Sequence, residues 1–174
     1  MKMQLGFSFN VSRCSGCMAC IVACLDDNDL KDRQSAYRHV ISVEKGTYPD
    51  VDLHFVSLSC LHCSDAPCLM VCPSGAIYKS EENGIIDVNP DICVGCHSCA
   101  LACPFGAPRY NDGYSMSKCH FCIDRVRHGM EPACVRTCPT RALNFGPMEK
   151  LSLQKAEGSS WAILGSVSLR AVLK

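Results

Sequence analysis

The chain has 174 residues, enough for one domain or two small ones. Its 17 basic and 17 acidic residues balance with histidine neutral, and no block of consecutive basic residues appears, which argues against nucleic-acid binding. No apolar run approaches the roughly 20 residues of a membrane helix. The composition departs from the ordinary in one respect, its 16 cysteines.

In chain order, Leu5, Phe7, Phe9 and Val11 alternate with small or polar residues, which predicts a half-buried strand running into Cys14. Met18 to Leu25 predicts a short helix that stops at Asp26, Asp27, Asn28 and Asp29. Tyr37 to Val43 predicts a second strand closed by Gly46, and Leu53 to Ser59 a third that delivers Cys60. Pro67 fits the first turn of a short helix carrying Cys68 and Cys72. Ile77 and Tyr78 begin a strand, Glu82-Asn83-Gly84 signals a hairpin turn, and Ile85 to Val88 returns. Gly106 to Ser117 reads as a loop. The insertion between Cys122 and Cys134, with Asp124, Arg125, Arg127, His128 and Glu131, reads as an exposed loop or a docking surface. Leu151 and Leu153 open a C-terminal element, and Glu157 to Ser160 forms a linker. The apolar stretch from Trp161 to Lys174 is expected either to dock onto a partner or to fold back on its own module.

The cysteines fall into four runs. Asp91 to Pro104 reads DICVGCHSCALACP, so Cys93, Cys96, Cys99 and Cys103 follow C-x-x-C-x-x-C-x-x-x-C-P, the iron–sulfur run of bacterial ferredoxins. Cys14, Cys17, Cys20 and Cys24 repeat the spacing, with Leu25 in place of the proline. Cys60, Cys63, Cys68 and Cys72 enlarge one loop, and Cys119, Cys122, Cys134 and Cys138 enlarge it further. The runs use every cysteine, so four [4Fe–4S] clusters are expected. CPSGAIY, CPFGAPRY and CPTRALNF echo one another, each with an alanine that lets the chain pass close to a cluster.

Disulfides would need an oxidising compartment, and MKMQLGFSFN does not read as a signal peptide. A zinc-stapled interaction module is the rival from another class. Zinc pairs are usually spread more widely, and zinc chemistry does not require the Cys-Pro endings found in three runs. An oxidised cubane with four thiolates carries roughly −2, so the 17 Lys and Arg partly offset the loaded clusters. His62, His97 and His120 lie inside the cysteine loops, where they are expected to tune potentials rather than ligate, since each run already has four thiols. There is no Gly-rich phosphate loop, no G-x-S-x-G and no H-E-x-x-H, so no catalytic residue is expected. The chemistry is one-electron transfer.

The stretches FSFNVSRCSGCMACIVAC, SLSCLHCSDAPCLMVCPSGAI, DICVGCHSCALACPFGAPRY, KCHFCIDRV and EPACVRTCPTRALNFG carry a family resemblance over roughly residues 5–147. The chain resembles the four-cluster electron-transfer subunits that partner bis-pterin molybdenum or tungsten oxidoreductases. Among these are the beta subunits of dimethyl-sulfoxide reductase, polysulfide reductase and formate dehydrogenase. Small subunits of tungsten enzymes of the aldehyde oxidoreductase and benzoyl-CoA reductase class are similar too, and the shortness of the chain leans toward them. Some relatives have tryptophan where Cys96 stands, and a different cluster with it; here a full cubane is implied.

The resemblance implies an α+β fold of two ferredoxin-like modules with two clusters each, one inserted into the other. Residues 50–104 would form the continuous module, residues 1–49 plus 105–147 the split one, and 148–174 a C-terminal extension and possible docking tail. The fourth cysteine of a ferredoxin run crosses to the other cluster of its module. Cys60, Cys63 and Cys68 would then take Cys103, and Cys93, Cys96 and Cys99 would take Cys72. In the split module, as in the resembling family, Cys14, Cys17 and Cys20 take Cys138, and Cys119, Cys122 and Cys134 take Cys24. The expected role is a relay between a catalytic molybdenum- or tungsten-pterin subunit and a further redox subunit or ferredoxin. The alternative within redox chemistry is a free polyferredoxin. The expected location is cytoplasmic, with export beside a signal-bearing partner as the alternative.

Overall fold

The structure is a computed structural model that describes residues 3–32, 35–110, 114–156 and 161–164. Seven strands and six α-helices appear among them: β1 (Leu5–Asn10), α1 (Ala19–Asp27), β2 (His39–Thr47), β3 (Asp50–Leu58), α2 (Pro67–Met70), β4 (Ile77–Lys79), β5 (Ile86–Val88), α3 (Ser98–Ala102), α4 (Ile123–Arg127), α5 (Ala133–Arg136), β6 (Leu143–Pro147), α6 (Met148–Ala156) and β7 (Trp161–Leu164). None of these helices is long and apolar enough to cross a membrane.

β1 is the centre of a three-stranded antiparallel sheet, between β6 and β7. Phe7 lies opposite Phe145 on one side and Leu164 on the other. All six residues of β1 are buried, so the half-buried strand expected from its alternation is corrected. The small residues explain this: Gly6 leaves room for Met148 and Leu151 of α6 to lie on one face, while Phe7 and Phe9 fill the core on the other. Backbone pairing of 161–164 with β1 keeps that part of the tail on its own chain. Residues 165–174, on which the docking expectation also rests, lie outside the described residues.

β2 and β3 pair in register from His39↔Leu58 to Thr47↔Asp50. Both are longer than the sequence pattern indicates, because beyond Val40 and Ser57 the hairpin arm is largely exposed, and Val51 and Leu53 alternate with Asp50 and Asp52 without marking a buried face. The expected division between residues 49 and 50 falls at the tip of this arm. β4 and β5 form the small hairpin signalled by Glu82-Asn83-Gly84. In the long insertion, the expected loop is partly helix α4. Arg125 donates to Asp27 Oδ1 at 3.0 Å and to the Glu131 carbonyl at 3.0 Å, tying the insertion to the end of α1.

Two helix pairings organise the cysteines. α1, inside the first run, packs on α5 of the last run, and α2 of the second run packs on α3 of the third. The larger core joins Phe7, Phe9, Ile21, Phe121, Val135 and Leu143, whereas the smaller holds Ala66, Ile77, Ile86, Met116 and Cys99.

Candidate metal centre

Every cysteine run begins with the same backbone device. The residue just before the second cysteine has positive φ in all four: Gly16 at 69°, His62 at 46°, Gly95 at 64° and Phe121 at 66°. Such a left-handed residue between ordinary ones turns successive N–H groups toward a common concavity, where they can meet an anion. Met18 and His97, one place after the second cysteine in the first and third runs, are also left-handed, at 64° and 62°. Glycine accepts this at no steric cost, whereas a side chain costs about 1–2 kcal/mol. His62 and Phe121 carry that cost in the fully buried part of the core, where Phe121 packs 4.2 Å from the Phe7 ring. At Gly95 an added Cβ would stand 2.5 Å from the Tyr114 carbonyl oxygen. Gly95→Ala is therefore expected to lower iron by about four per chain, one cubane's worth, as read by iron analysis of the anaerobically isolated protein.

The helix pairings then gather thiols from different runs. Cys14, Cys17, Cys20 and Cys138 line one cavity. Cys24, Cys119, Cys122 and Cys134 line a second, and Cys72, Cys93, Cys96 and Cys99 a third. Cys60, Cys63, Cys68 and Cys103 form the remaining group. There burial raises the Cys63 pKa and the neighbouring Cys103 thiol adds to the rise; Cys103 acts on Cys68 in the same sense. We refer to these as the Cys14, Cys119, Cys93 and Cys60 sets.

The donors fit a cluster and do not fit a single ion. Among the described residues, no three His, Cys, Asp or Glu side chains converge closely enough to hold one metal ion, as zinc with Zn–S near 2.3 Å would require. Each set offers four thiols, the donor count of one [4Fe–4S] cluster, and further groups donate to the sulfurs. The alanine echoed after Cys-Pro turns out to be one of them. The Ala107 N–H donates to Cys103 Sγ at 3.5 Å, and the N–H groups of Ala76 and Ala142 donate to Cys72 and Cys138. Burial alone would raise Cys72 and Cys138, but the N–H groups of Ile77 and Leu143 first, then the Ser74 and Thr140 hydroxyls and the two alanine N–H groups, bring both below the usual thiol value. The first run lacks the Cys-Pro turn. In it α1 continues to Asp27, and the Asn28 side-chain amide stands 3.9 Å from Cys24 Sγ.

Electrostatics differ among the sets. Burial, with the nearby Cys119 thiol second, pushes Cys24 up to about 12. Burial followed by the Cys60 thiol pushes Cys119 up to about 11, so the Cys60 and Cys119 sets are neighbours. Two buried cations lie among these thiols. Lys118 donates to the Ile86 and Cys119 carbonyls and holds Cys60 below what burial alone would give. Arg38 lines the cavity of the Cys119 set.

His120 and His97 line the cavities of the Cys119 and Cys93 sets, and each of the three histidines meets a neighbour other than sulfur. The Ile86 N–H donates to His62 Nδ1 at 3.1 Å, and burial first, then the Lys118 charge, holds His62 well below the usual histidine range. His97 stacks on Tyr110 with centroids 3.8 Å apart, and Tyr110 Oη lies 3.0 Å from Cys99 Sγ. His120 Nε2 lies 2.6 Å from Asn28 Oδ1. Sequence reasoning misses Tyr110 and Asn28 as groups that approach a sulfur, although both leave a signal. Tyr110 ends the CPFGAPRY echo, and Asn28 stands four places after Cys24, where the other runs have alanine. Nothing in the sequence marks Arg38.

Comparison with known proteins gives the family. A family model described as a 4Fe-4S dicluster domain matches residues 51–148, and a second with the same description matches 13–76. The chain is 43% identical over 160 residues to the B subunit of the anaerobic dimethyl sulfoxide reductase of Escherichia coli (strain K12), covering 87% of this chain and 77% of that subunit. The corresponding B subunit of Haemophilus influenzae is 38% identical over 172 residues, 92% of this chain and 82% of that subunit. Protein NrfC of Escherichia coli (strain K12) is 40% identical over 149 residues, 84% of this chain and 67% of NrfC. The chain belongs to the family of ferredoxin-like [4Fe–4S] electron-transfer subunits that includes these proteins, and it is a non-catalytic subunit of an oxidoreductase complex.

Proposed function

We propose that this subunit relays single electrons through four [4Fe–4S] clusters between a molybdenum- or tungsten-pterin catalytic subunit and an external carrier. The observation that carries this reading is the gathering of all 16 cysteines into four thiol sets with no thiol left over. Each set would hold one cluster: Cys14, Cys17, Cys20 and Cys138; Cys60, Cys63, Cys68 and Cys103; Cys72, Cys93, Cys96 and Cys99; and Cys24, Cys119, Cys122 and Cys134. Bound clusters supply reversible one-electron transfer at potentials set by charge, hydrogen bonding and exposure.

The chain's own residues determine the order. The Cys14 set adjoins the Cys119 set through Cys20 and Cys134, which are close enough for their charges to interact. The Cys119 set adjoins the Cys60 set through Cys119 and Cys60. Cys63 and Cys68 share a core with Cys72, Cys93 and Cys99, which brings the Cys93 set next. The two exposed thiols, Cys17 and Cys96, belong to the sets at the two ends of this order. An electron would therefore enter near one and leave near the other, with the buried sets between. The pairing of first with last run, and of second with third, supports one ferredoxin-like module (50–104) inserted into another (1–49 plus 105–147). A cytoplasmic complex is the location that goes with this reading.

The test is the metal content of the anaerobically isolated chain, expected at about 16 iron and 16 sulfide, four of each per cubane. A value near 12 would mean one set stays empty and would reject the four-cluster relay.

A further inference from the structure

Arg38 is 1% exposed and lies between two thiol sets. Its Nη1 donates to Ser57 Oγ at 3.2 Å and its Nη2 to Ser59 Oγ at 3.0 Å. Ser57 Oγ in turn lies 3.6 Å from Cys20 Sγ, so a short hydrogen-bonded chain leads from the guanidinium to the Cys14 set. On its other side Arg38 lines the cavity of Cys24, Cys119, Cys122 and Cys134. Its carbon Cζ stands 4.7 Å from the centroid of the Phe7 ring, which fixes the guanidinium from below. Among the described residues no carboxylate is within ion-pair distance of Arg38; the ion pairs there use Arg125 and Arg127.

A buried guanidinium without a counter-ion is strongly unfavourable, because its hydration is lost and nothing replaces it. Two serine hydroxyls satisfy hydrogen bonds but carry no charge. The compensating negative charge must come from the thiolates of the two adjoining sets and whatever they hold.

We propose that Arg38 is a positioning residue whose fixed positive charge raises the reduction potentials of the clusters held by the Cys14 and Cys119 sets. On reduction each cluster gains one electron and one negative charge, supplied by the catalytic partner or the external carrier, with no bond broken. A cation held beside both sites favours that added charge at each. Arginine suits the task because it stays protonated under any condition the protein meets. Burial alone would lower the Arg38 pKa, yet the thiols of Cys134, Cys119, Cys20 and Cys24 outweigh it and the net direction is up. Those four belong to the same two sets. Toward the Cys60 set the guanidinium reaches only backbone, since Ser59 Oγ, which accepts from Nη2, donates to the Cys60 carbonyl at 3.5 Å.

The inference rests on the four-cluster reading, and the two can fail separately. Iron content tests the reading, whereas midpoint potentials test the role of Arg38. The experiment is potentiometric titration, followed by EPR, of the cluster-loaded full chain carrying Arg38→Gln or Arg38→Lys. In Arg38→Gln, two of the four clusters should become harder to reduce by at least about tenfold in their reduction equilibrium, 59 mV for a one-electron couple. The other two should stay in place, and Arg38→Lys should restore most of the shift. Unchanged potentials with full iron, or four potentials moving alike, would overturn the proposal. If Arg38→Gln does not load iron, Arg38→Lys decides. A lysine variant with full iron and near-native potentials supports the role of charge. A lysine variant that fails to load, or whose potentials fall as described for glutamine, shows that shape and hydrogen bonding are what matter and overturns it.

Discussion

Replacing Cys24 with serine should damage the cluster site built around Cys119, while the trio nearest to Cys24 in sequence keeps its own cluster. Cys14, Cys17 and Cys20 share their cavity with Cys138, whereas Cys24 lines the cavity of Cys119, Cys122 and Cys134. The cause is helical geometry. α1 carries Cys20 and Cys24 on successive turns, and it packs on α5, which carries Cys134. Cys20 and Cys24 therefore serve the two sides of one helix–helix contact. Serine keeps the size but offers a poor ligand to iron, so about four irons, one cubane's worth, should be lost, or one cluster converted to a three-iron form. EPR of the reduced protein reads this directly. Four unchanged cubane signals would mean that Cys24 is not a ligand and that the crossing must be redrawn.

The positions of the thiols were legible because spacing is a chain-local property. A C-x-x-C-x-x-C run wraps on itself whatever surrounds it, and the Cys-Pro turn that follows is equally local. What the spacing hid was the backbone that does the wrapping. Gly16 and Gly95 could be read as turn residues, but His62 and Phe121 hold the same left-handed conformation, and neither residue type advertises it. They keep it because burial in the larger core outweighs the local strain. β1 was misjudged for a related reason. Its alternation of large and small residues is the pattern of a strand with one wet face, and only α6, far along the chain, covers the small-residue face. Arg38 was invisible, since a lone arginine at the start of a strand gives no sign of burial. Its place follows from where β2 begins and from Ser57 and Ser59 arriving opposite it on and just after β3.

Stripping the clusters anaerobically with a chelator should unfold residues 60–104 first, well before the β6-β1-β7 sheet. Of this segment only Ala66, Ile77 and Ile86 are buried in the smaller core beside Cys99, with Met116 joining from outside it, and only Leu61 and Ile85 are buried in the larger core. A buried isoleucine or methionine contributes about 1.5–3 kcal/mol and an alanine less, against about 1–2 kcal/mol of backbone entropy for every residue ordered. So few side chains cannot hold this segment, and ligation must supply the difference, as structural metals do in small domains. The helices here are too short to persist alone: α2 has four residues and α3 five, below the dozen or so that isolated helices need. The other end of the molecule has a larger core, in which Phe7, Phe9, Phe121 and Leu143 are buried together, and this is expected to hold β1 and β6. Amide hydrogen exchange read by mass spectrometry should show peptides from 60–104 losing protection on chelation while those of β1 and β6 retain part of theirs. Uniform loss across the chain would mean the two cores fold as one unit, and full retention everywhere would mean the clusters contribute little to stability.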